Sequence, residues 1–322
     1  MKQSKLLYYD ILGFHVTAME LLTSNFLVIT LATPGDDTDD ILKEMDVVMA
    51  PLGFEFGRDK MGRCSKLKVI GSSTLSVPHI DIECALSKGI QVCYLNGSQK
   101  EFLKTITPTA ELTWGLILAI TRRIHKAHKF VCSGRWGANS LGYISPCMLS
   151  NMSLGIVGLG RLGSMVASYG KAFGMDVYYY SPRSSNSEYK RTSTLSELAK
   201  SSDIVSIHAH HTHETEAMVN MDFFKAMKPG SFIINTSRGA IIDEKSLLEA
   251  LESEHLAGAA LDVMADEYKP GFKTALKDSP LVGYAKNHEN LILTPHYGGA
   301  TVDAWEITQT KTIELIINAL SV

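Results

Sequence analysis

One glycine-rich turn restricts the possible folds of this chain more than any other feature. Residues 154–157 are apolar and are predicted to form a buried strand, Gly158-x-Gly160-x-x-Gly163 follows, and residues 165–173 are predicted to form a helix. In this order the first glycine allows a sharp turn, the second lets a pyrophosphate approach the backbone, and the third lets helix and strand pack closely. The free N–H groups at the helix N-terminus would face the phosphates. The segment therefore predicts a dinucleotide-binding element.

Short apolar segments alternate with helical patterns along the whole chain. The predicted strands are residues 6–9, 26–30, 46–50, 67–70, 91–94, 154–157, 177–180, 204–209, 231–235, 258–263 and 291–294. The predicted helices include residues 41–45, 80–88, 109–128, 165–173 and 302–320. This alternation is typical of parallel sheets that are covered by helices.

The glycine turn comes near the middle of the chain, whereas a nucleotide-binding fold normally opens with it. The residues before it must therefore form another α/β unit, and a length of 322 residues is enough for two cores. We predict the α/β class with two doubly wound parallel-sheet domains. One is a Rossmann-like cofactor domain, the other a flavodoxin-like substrate domain, and the ligand is expected in a cleft between them.

Composition is that of an ordinary soluble protein. Hydrophobic residues make up 45% of the chain and charged residues 20%, and the net charge of −3 favours neither nucleic acid nor a membrane as partner. The five cysteines are scattered without CxxC spacing, as expected for reduced thiols. The sequence has no secretory h-region and no apolar stretch of 18 residues. We therefore expect a soluble, cytoplasmic protein.

Three functional groups each follow one of the last three predicted strands: Arg238, Glu267 and His296. Ligands of open α/β sheets bind at the carboxyl ends of the strands, so these groups could meet. Arg238 could bind a carboxylate through two parallel hydrogen bonds, which a lysine cannot form. His296 could exchange a proton with a ketone oxygen near neutral pH, and Glu267 could fix its tautomer. Each residue alone is more often an ordinary loop residue, but together they favour reversible hydride transfer to a 2-oxo acid.

With these residues the chain resembles the D-isomer-specific 2-hydroxyacid dehydrogenases, from the strand before Gly71 to Thr301. The motifs that carry the resemblance are His79-Ile80-Asp81, Thr109-Ala110-Glu111-Leu112-Thr113, Arg122, Gly134-x-Trp136, the glycine turn, Asn235-x-x-Arg238-Gly239, Ala260-Leu261-Asp262-Val263 and Thr294-Pro295-His296. Phosphoglycerate dehydrogenases and glyoxylate/hydroxypyruvate reductases are among the members that it resembles. The resemblance implies that Arg238 binds the substrate carboxylate, that His296 is the acid/base, and that Glu267 is its partner.

The resemblance also implies the cofactor contacts and the domain plan. The implied cofactor-binding residues are Gly158, Gly160, Arg161, Leu162, Gly163, Ser181, Arg183, His208, Thr236, Asp262 and Thr113. Asp262 is expected to contact the nicotinamide carboxamide, and Thr113 is expected near the same ring. Residues 1–105 and 298–322 are expected to form the substrate-binding domain and residues 106–297 the dinucleotide-binding domain. A homodimer through the dinucleotide-binding domain is also expected.

The residue after the second strand of the dinucleotide-binding domain bears on the cofactor. Members that use NAD usually carry an acid there that binds both ribose hydroxyls. This chain has Ser181 instead, and Asp176 lies at the wrong end of the strand to replace the acid. The groups that could hold a 2′-phosphate are Arg183, the hydroxyls of Ser184 and Ser185, and Lys190 or Arg191 if the loop folds back. NADP(H) is therefore favoured, with NAD(H) as the alternative.

The expected substrate loop departs from the family pattern, in which backbone N–H groups bind the carboxylate. Thr74, Leu75 and Ser76 are the candidate contacts, with Ser76 in place of a glycine and Leu75 adding bulk. Pro78 replaces a residue that could donate an N–H. The loop could be weakened, or it could select substrates of another size, and the intact Arg, Glu and His residues favour the second interpretation.

Two early segments, residues 49–53 and 70–73, lack the arginines with which phosphoglycerate dehydrogenases hold the substrate phosphate. Arg58, Lys60 and Arg63 lie nearby and are expected to be solvated helix charges. A small unphosphorylated acid such as glyoxylate or hydroxypyruvate is therefore favoured, and phosphoglycerate dehydrogenase activity is an alternative. A relative acting on formate or phosphite has no supporting residue.

Two further hypotheses are less favoured. Four histidines between residues 208 and 213 raise the possibility of a metal site, but the segment matches the strand end beside the adenosine, so no metal is expected. An NAD(H)-sensing corepressor-like interaction protein could keep the same Arg, Glu and His. Such a protein would usually carry disordered tails with partner motifs, and none is recognised in this sequence.

Overall fold

Two separate parallel sheets form the framework of the protein in a computed structural model that describes residues 3–137, 147–269 and 271–321. The chain divides into two compact units, Met1–Ile106 with Ala300–Val322, and Thr107–Gly299. Each strand pair in both sheets is parallel, so the predicted class of two doubly wound α/β domains is confirmed. None of the helices among the described residues is both long and apolar enough to cross a membrane.

The first unit contains a five-stranded sheet in the order β2-β1-β3-β4-β5. Its strands are β1 (Lys5–Tyr9), β2 (Leu27–Leu31), β3 (Val47–Met49), β4 (Val69–Ser72) and β5 (Gln91–Tyr94). Its N-terminal helices are α1 (Val16–Asn25), α2 (Asp39–Leu42), α3 (Arg58–Gly62), α4 (Ile82–Ser87) and α5 (Lys100–Lys104). The strand order is that of flavodoxin-like sheets, in which the order reverses between the first and third strands.

The second unit contains a seven-stranded sheet in the order β12-β11-β10-β9-β6-β7-β8. Its strands are β6 (Ser153–Val157), β7 (Asp176–Tyr180), β8 (Lys190–Arg191), β9 (Ile204–Ile207), β10 (Ser231–Asn235), β11 (Leu256–Leu261) and β12 (Leu291–Leu293). Its helices are α6 (Pro108–Thr121), α7 (Ile124–Cys132), α8 (Arg161–Ala172), α9 (Leu195–Ser201), α10 (Met221–Ala226), α11 (Glu244–Glu252), α12 (Phe272–Ala275) and α13 (Pro280–Asn287). This is a Rossmann order with β6 at the switch point.

The chain returns to the first unit in its last helix, α14 (Val302–Leu320). Ile313 and Ile316 on this helix are fully buried. A side-chain carbon on Gly71 in β4 would lie 2.5 Å from Ile316, so the glycine is needed for this close packing. The predicted helix over residues 302–320 is confirmed, and its apolar stripe covers the first sheet.

The sheet register places the ends of the strands in one row. Tyr180 and Ile207 both pair with Val157, and Asn235, Leu261 and Leu293 continue the row across β10, β11 and β12. The residues that follow these strands therefore lie along one edge of the second sheet. The predicted site residues that follow a strand directly are Ser181, Gly158, His208, Thr236 and Asp262.

Two predicted elements differ from the structure. The single helix predicted over residues 109–128 is wrong, because α6 and α7 are separate helices with Arg123 between them at φ +51°. Half of the residues of α6 are buried, whereas Phe130 is the buried residue of α7, so the chain bends where it leaves the core. The strand predicted over residues 204–209 ends at Ile207, since His208 already belongs to the loop.

Candidate active site

The turn between β6 and α8 uses its three glycines in three different ways. Gly158 has φ +92°, and a side-chain carbon there would lie 2.8 Å from the carbonyl oxygen of His208. A side-chain carbon on Gly163 would lie 2.1 Å from the carbonyl oxygen of Gly158, so the helix packs directly on the turn. Gly160 precedes α8, and a side-chain carbon there would have no atom within 4 Å. The start of the helix is thus open at Gly160, where an anion could approach the backbone.

The first helical residues of α8 have different surroundings. Arg161 is half-buried, and burial lowers the pKa of its guanidinium. Leu162 is partly buried and packs against the apolar cluster that α6, α8 and the sheet share. The Leu162 side chain therefore anchors the helix, which leaves its backbone as the part available to a ligand.

His208 lies in the loop after β9, beside the glycine turn. Its backbone N–H donates to Val157 O at 2.7 Å, and its Nε2 lies 2.9 Å from the hydroxyl of Ser206. Its Nδ1 is buried and has no hydrogen-bond partner among the residues that the structure describes. Burial lowers the pKa of His208 to about 4, so its ring is neutral at pH 7. A bound ligand could satisfy this nitrogen.

Two of the hydroxyls predicted to face the cofactor meet in the interior. The side-chain oxygens of Thr113 on α6 and Thr236 after β10 lie 2.7 Å apart, and both residues are buried. The Thr113 hydroxyl donates to the carbonyl oxygen of Thr109 at 2.7 Å. The Thr236 hydroxyl must therefore donate to Thr113, which fixes both side chains.

The segment after β7 contains the residues predicted to distinguish the two dinucleotides. Ser181 is buried, and its carbonyl oxygen accepts a hydrogen bond from Nη2 of Arg191 at 3.2 Å. Arg183 is exposed. A hydrogen bond from Thr212 lowers the pKa of the Glu214 carboxyl, and the charge of Arg183 adds to this effect. Arg183 therefore lies near enough to Glu214 to interact with it electrostatically.

The two basic residues of β8 are held at opposite ends of β7. Lys190 forms an ion pair with Asp176 at 2.9 Å, at the amino end of that strand. Arg191 instead contacts Ser181 at the carboxyl end. A cavity of about 430 Å³ opens beside it, lined by Tyr180, Ser181, Pro182, Arg191, Thr192 and Ser193. Of the two basic residues of β8, Arg191 is the one that lies at the ligand edge of the sheet.

Asn235, at the end of β10, shapes the turn that carries Arg238. Its Nδ2 donates to the carbonyl oxygen of Arg238 at 2.9 Å. Its Oδ1 accepts the backbone N–H of Ser237 at 3.0 Å and the Ser237 hydroxyl at 2.9 Å. Asn235 is fully buried, so these bonds are shielded from water. The half-buried Arg238 guanidinium also donates from Nη1 to the carbonyl oxygen of Ser237 at 2.6 Å.

The turn at Arg238 packs against the loop that carries Glu267. A side-chain carbon on Gly239 would lie 2.0 Å from the backbone of Met264, so no other residue fits between the two segments. Glu244 on α11 accepts the backbone N–H of Ala265 at 2.7 Å, and burial raises the pKa of the Glu244 carboxyl. These contacts hold the loop after β11 beside Arg238.

His296 and Glu267 form a direct pair. Nδ1 of His296 lies 2.8 Å from Oε1 of Glu267, and the side chains are 33% and 11% exposed, respectively. His296 has φ +51° and Asp266, next to Glu267, has φ +62°. Left-handed backbone at non-glycine residues costs on the order of 1–3 kcal/mol each and is concentrated at functional sites. The predicted pairing of these two side chains is thus found in the structure.

Asp262 holds the loop after β12, a role that the sequence did not reveal. It is 1% exposed and accepts hydrogen bonds from the hydroxyl of Thr294 at 2.6 Å and the backbone N–H of Tyr297 at 3.1 Å. Its other oxygen accepts the backbone N–H of Gly298 at 2.9 Å. The carboxylate therefore positions the segment that contains His296. The positioning roles of Asn235 and Glu244 were also missed from the sequence, because most of their partners are backbone groups.

The predicted substrate loop lies in the other compact unit, after β4. The Thr74 hydroxyl donates to the carbonyl oxygen of Ser76 at 2.7 Å, which closes a tight loop. Leu75 is 45% exposed, whereas Val77 is buried in the core and anchors the segment. His79 is buried behind the loop, and burial lowers its pKa.

One expectation about the first unit is wrong. Lys60 is not a solvated helix charge: its side chain is 15% exposed and is paired with Asp37. Its ammonium also lies 5.6 Å from the ring centre of Tyr9 and 5.4 Å from that of Phe56. Arg63 is paired with Asp39. The ion pair with Asp37 and the two ring contacts hold the Lys60 ammonium in the interior. The local sequence pattern does not reveal these contacts.

The histidines after β9 do not converge. His210, His211 and His213 are exposed. Within residues 3–137, 147–269 and 271–321, no group of three or more His, Cys, Asp and Glu side chains could hold a metal ion.

The edge of the second sheet fits a nicotinamide dinucleotide. The open backbone at Gly160 suits a pyrophosphate, because the N-terminus of a helix attracts an anion that can approach its backbone. The Nδ1 atom of His208, which has no hydrogen-bond partner within the described part of the chain, and the end of β7 at Ser181 lie on the same edge. The fit concerns this unit alone and is the same for NAD and NADP except after β7.

This chain is similar to known 2-hydroxyacid dehydrogenases. Residues 114–298 match the family model of the D-isomer specific 2-hydroxyacid dehydrogenase, NAD binding domain. The chain is 36% identical over 289 residues to a D-3-phosphoglycerate dehydrogenase of Bacillus subtilis, which covers 88% of this chain and 51% of that enzyme. It is 34% identical over 274 residues to a glyoxylate reductase of Thermococcus litoralis, which covers 82% of this chain and 77% of that enzyme. The chain thus spans about half of the first relative.

Solved structures share the fold along almost the whole chain. The TT0316 protein of Thermus thermophilus has a TM-score of 0.82 and 29% identity, with 98% of this chain and 97% of that chain covered. D-lactate dehydrogenase of Aquifex aeolicus, complexed with NAD and lactic acid, has a TM-score of 0.80 and 26% identity, with 98% and 95% covered.

Proposed function

This chain belongs to the D-isomer-specific 2-hydroxyacid dehydrogenases, a family of oxidoreductases, and we propose that it reduces a small 2-oxo acid with a nicotinamide dinucleotide. The observation that carries the proposal is the contact of 2.8 Å between His296 and Glu267, on a loop that packs against the Arg238 turn. The second unit would bind the dinucleotide, and the first unit would contribute substrate contacts.

Arg238 is the proposed carboxylate-binding residue. Asn235 fixes the backbone on both sides of it, so the guanidinium starts from a defined position. A planar guanidinium can bind both oxygens of a carboxylate, and this orients the neighbouring ketone. The D-lactate dehydrogenase structure with lactic acid supports a substrate of this class, since lactic acid is a 2-hydroxy acid.

His296 is the proposed general acid and base. Glu267 accepts from Nδ1, which leaves Nε2 to exchange a proton with the substrate oxygen. The carboxylate stabilises the imidazolium before proton transfer, and its low exposure strengthens this interaction. When bound, the dinucleotide supplies the hydride for reduction or accepts it during oxidation.

We propose that NADP(H) is preferred over NAD(H). Ser181 puts no negative charge beside the ribose, so a 2′-phosphate meets no repulsion there. The contact between Arg191 and Ser181 brings a guanidinium to the same strand end, and Arg183 adds a second one in the exposed loop. Two arginines beside a neutral residue favour a phosphate over a pair of ribose hydroxyls.

The proposed substrate is small and unphosphorylated, as in glyoxylate reductases. Lys60 and Arg63 in the first unit form ion pairs with Asp37 and Asp39, so their charges are already neutralised and do not favour a substrate phosphate. Similarity to a glyoxylate reductase over 82% of this chain supports the same choice. Thr74, Leu75 and Ser76 remain proposed substrate contacts on sequence grounds.

A homodimer in the cytoplasm is also proposed. Several large apolar side chains of the second unit are exposed: Ile124, Val131, Trp136, Met148 and Phe173. Exposed apolar side chains of this size favour association with another protein surface. Light scattering coupled to size-exclusion chromatography would give the mass directly, and a monomeric mass at micromolar concentration would contradict the proposal.

The experiment that tests the proposed function compares initial rates of NADPH and NADH oxidation with glyoxylate, hydroxypyruvate, pyruvate and phosphohydroxypyruvate. We expect turnover with the small acids, a higher kcat/KM with NADPH, and little activity with the phosphorylated acid. Preference for phosphohydroxypyruvate would support a phosphoglycerate dehydrogenase instead. Dinucleotide binding without turnover of any acid would contradict the enzymatic proposal and favour a dinucleotide sensor.

A further inference from the structure

Tyr268 touches the proposed acid/base residue, although neither the sequence motifs nor the family resemblance assigns it a role. Its phenolic oxygen lies 3.3 Å from Nδ1 of His296. The two rings are 5.9 Å apart and inclined by 59°. Tyr268 directly follows Glu267, so the same short loop brings two oxygen atoms to one imidazole nitrogen.

The two oxygens determine which nitrogen carries the fixed proton. Oε1 of Glu267 is 2.8 Å from Nδ1, and a carboxylate can only accept hydrogen bonds. Nδ1 must therefore be protonated, because two lone pairs would otherwise face each other. With that hydrogen directed at Glu267, the more distant Tyr268 oxygen acts as a second acceptor.

The charges around Tyr268 keep its hydroxyl neutral. Burial raises the pKa of the phenol, and the negative charge of Glu267 raises it further. Arg238 lowers the pKa and Asp262 raises it, so both also lie within electrostatic range of the phenol. The side chain is nevertheless 50% exposed, which leaves one side of the ring free to face a ligand.

The charged groups behind this pair belong to several elements. Glu244 on α11 accepts the backbone N–H of Ala265 in the same loop, and Asp266 is paired with Lys269 at 2.9 Å. Asp262 is occupied by the loop after β12. Nδ1 of His296 is thus contacted by the side chains of Glu267 and Tyr268.

We propose that Tyr268 is a positioning residue of the acid/base pair, with its phenolic oxygen sharing the Nδ1 proton of His296 with Glu267. This inference rests on the proposed function. During reduction, the Nε2–H bond of the imidazolium breaks as an O–H bond forms on the substrate, and the substrate carbon gains the hydride. The proton on Nδ1 stays between Tyr268 and Glu267 throughout. The neutral imidazole left behind keeps Nε2 as its basic atom.

The sharpest test is Tyr268→Phe, which keeps the ring and removes the oxygen. Losing one acceptor disfavours the imidazolium more than the neutral ring. The alkaline limb of the pH profile for kcat in reduction should therefore move down by about half a pH unit. On the alkaline limb the kcat value should therefore fall by up to about threefold, with little change in KM.

The matched control is Tyr284→Phe. Tyr284 is also packed on a histidine, His288, with ring centres 3.9 Å apart, but it belongs to α13. This variant should keep the wild-type pH profile. An unchanged profile in Tyr268→Phe would overturn the proposal. An upward shift would also overturn it, because the phenol would then have donated its hydrogen to Nδ1.

A second measurement separates this inference from the proposed function. Nitrogen NMR of histidine-labelled protein without substrate follows the titration of His296, with His296→Gln providing the assignment. In Tyr268→Phe the titration midpoint should fall by about the same half unit. If the wild type reduces none of the acids, the proposed function fails, and this midpoint still decides the role of Tyr268.

Discussion

Thr294 donates its hydroxyl hydrogen to Asp262 at 2.6 Å, which joins the end of β12 to the loop after β11. The same carboxylate accepts the backbone N–H groups of Tyr297 and Gly298. Three donors from one segment therefore converge on one buried side chain. His296 lies within that segment with φ +51°, so this clamp holds the strained backbone of the proposed acid/base.

Replacing the clamp carboxylate should affect both stability and catalysis. Asp262→Asn presents an NH₂ group to hydrogen-bond donors, so the free energy of unfolding should fall by ~1–3 kcal/mol. The kcat value should also fall, because the loop with His296 loses its fixed position. Urea unfolding and initial rates measure the two effects. Asp278→Asn, at an exposed position, is the control, and wild-type stability and kcat in Asp262→Asn would contradict the account.

The glycine turn offers two substitutions with opposite expectations. Gly160→Ala places its methyl group in open space at φ −85°, so the melting temperature should be unchanged. Dinucleotide binding should weaken by about tenfold or more, because the methyl group blocks the approach of a phosphate to the backbone. Gly163→Ala places a carbon 2.1 Å from the carbonyl oxygen of Gly158, so it should lower the melting temperature. Tight dinucleotide binding by Gly160→Ala would contradict the assigned phosphate site.

Ser181→Asp should shift the cofactor preference toward NAD(H). The new carboxylate can accept hydrogen bonds from both ribose hydroxyls and repels a 2′-phosphate. We expect the ratio of kcat/KM for NADPH to that for NADH to fall by about tenfold or more. A ratio that stays at the wild-type value would show that the end of β7 does not select the cofactor.

The neighbouring basic residues provide the matched comparison for this prediction. Arg191→Ala should weaken NADPH binding more than NADH binding, since its guanidinium contacts Ser181. Lys190→Ala should leave the preference unchanged, because its ammonium is paired with Asp176. Equal effects of the two substitutions would contradict the placement of the 2′-phosphate.

His208 should make the fold less stable in acid. Its pKa is lowered to about 4, so between pH 6.5 and 4 the unfolded chain binds a proton that the folded ring does not. This contribution to stability therefore decreases as the pH falls through that range. The raised pKa of Glu244 acts in the opposite direction, so the wild-type curve alone does not isolate His208.

Comparison of two histidine variants isolates the effect. When the pH is lowered from 7 to 5, the free energy of unfolding should fall less, or rise more, in His208→Gln than in the wild type. His211→Gln, at an exposed position, should keep the wild-type difference. If His208→Gln keeps the wild-type pH dependence, the His208 ring of the folded wild type must bind a proton as readily as it does in the unfolded chain.

The apolar segments of the sequence predict both sheets, with particular exceptions. Strand β8 escapes prediction because both of its residues are exposed, so it has no apolar signal. The break between α6 and α7 escapes because the sequence around Arg123 contains neither proline nor glycine. That break follows from where α6 leaves the core, which depends on the packed structure.

The candidate site was predictable to the level of residue types at strand ends. Glu267 and His296 could be paired from the family resemblance, and their contact is found at 2.8 Å. The contact with Tyr268 could not be predicted, because it depends on the path of a short irregular loop. Backbone contacts such as that of Glu244 with Ala265 leave no pattern in the side-chain sequence.

The proposed role of His296 is best tested by kcat for 2-oxo acid reduction in His296→Gln, measured beside the Kd for NADPH. Glutamine keeps the size of the side chain but cannot deliver a proton at neutral pH. Loss of a general acid should lower kcat by about 10²- to 10⁴-fold, while the Kd for NADPH should stay close to that of the wild type. A kcat within a few-fold of the wild type would contradict the assignment of His296 as the acid/base.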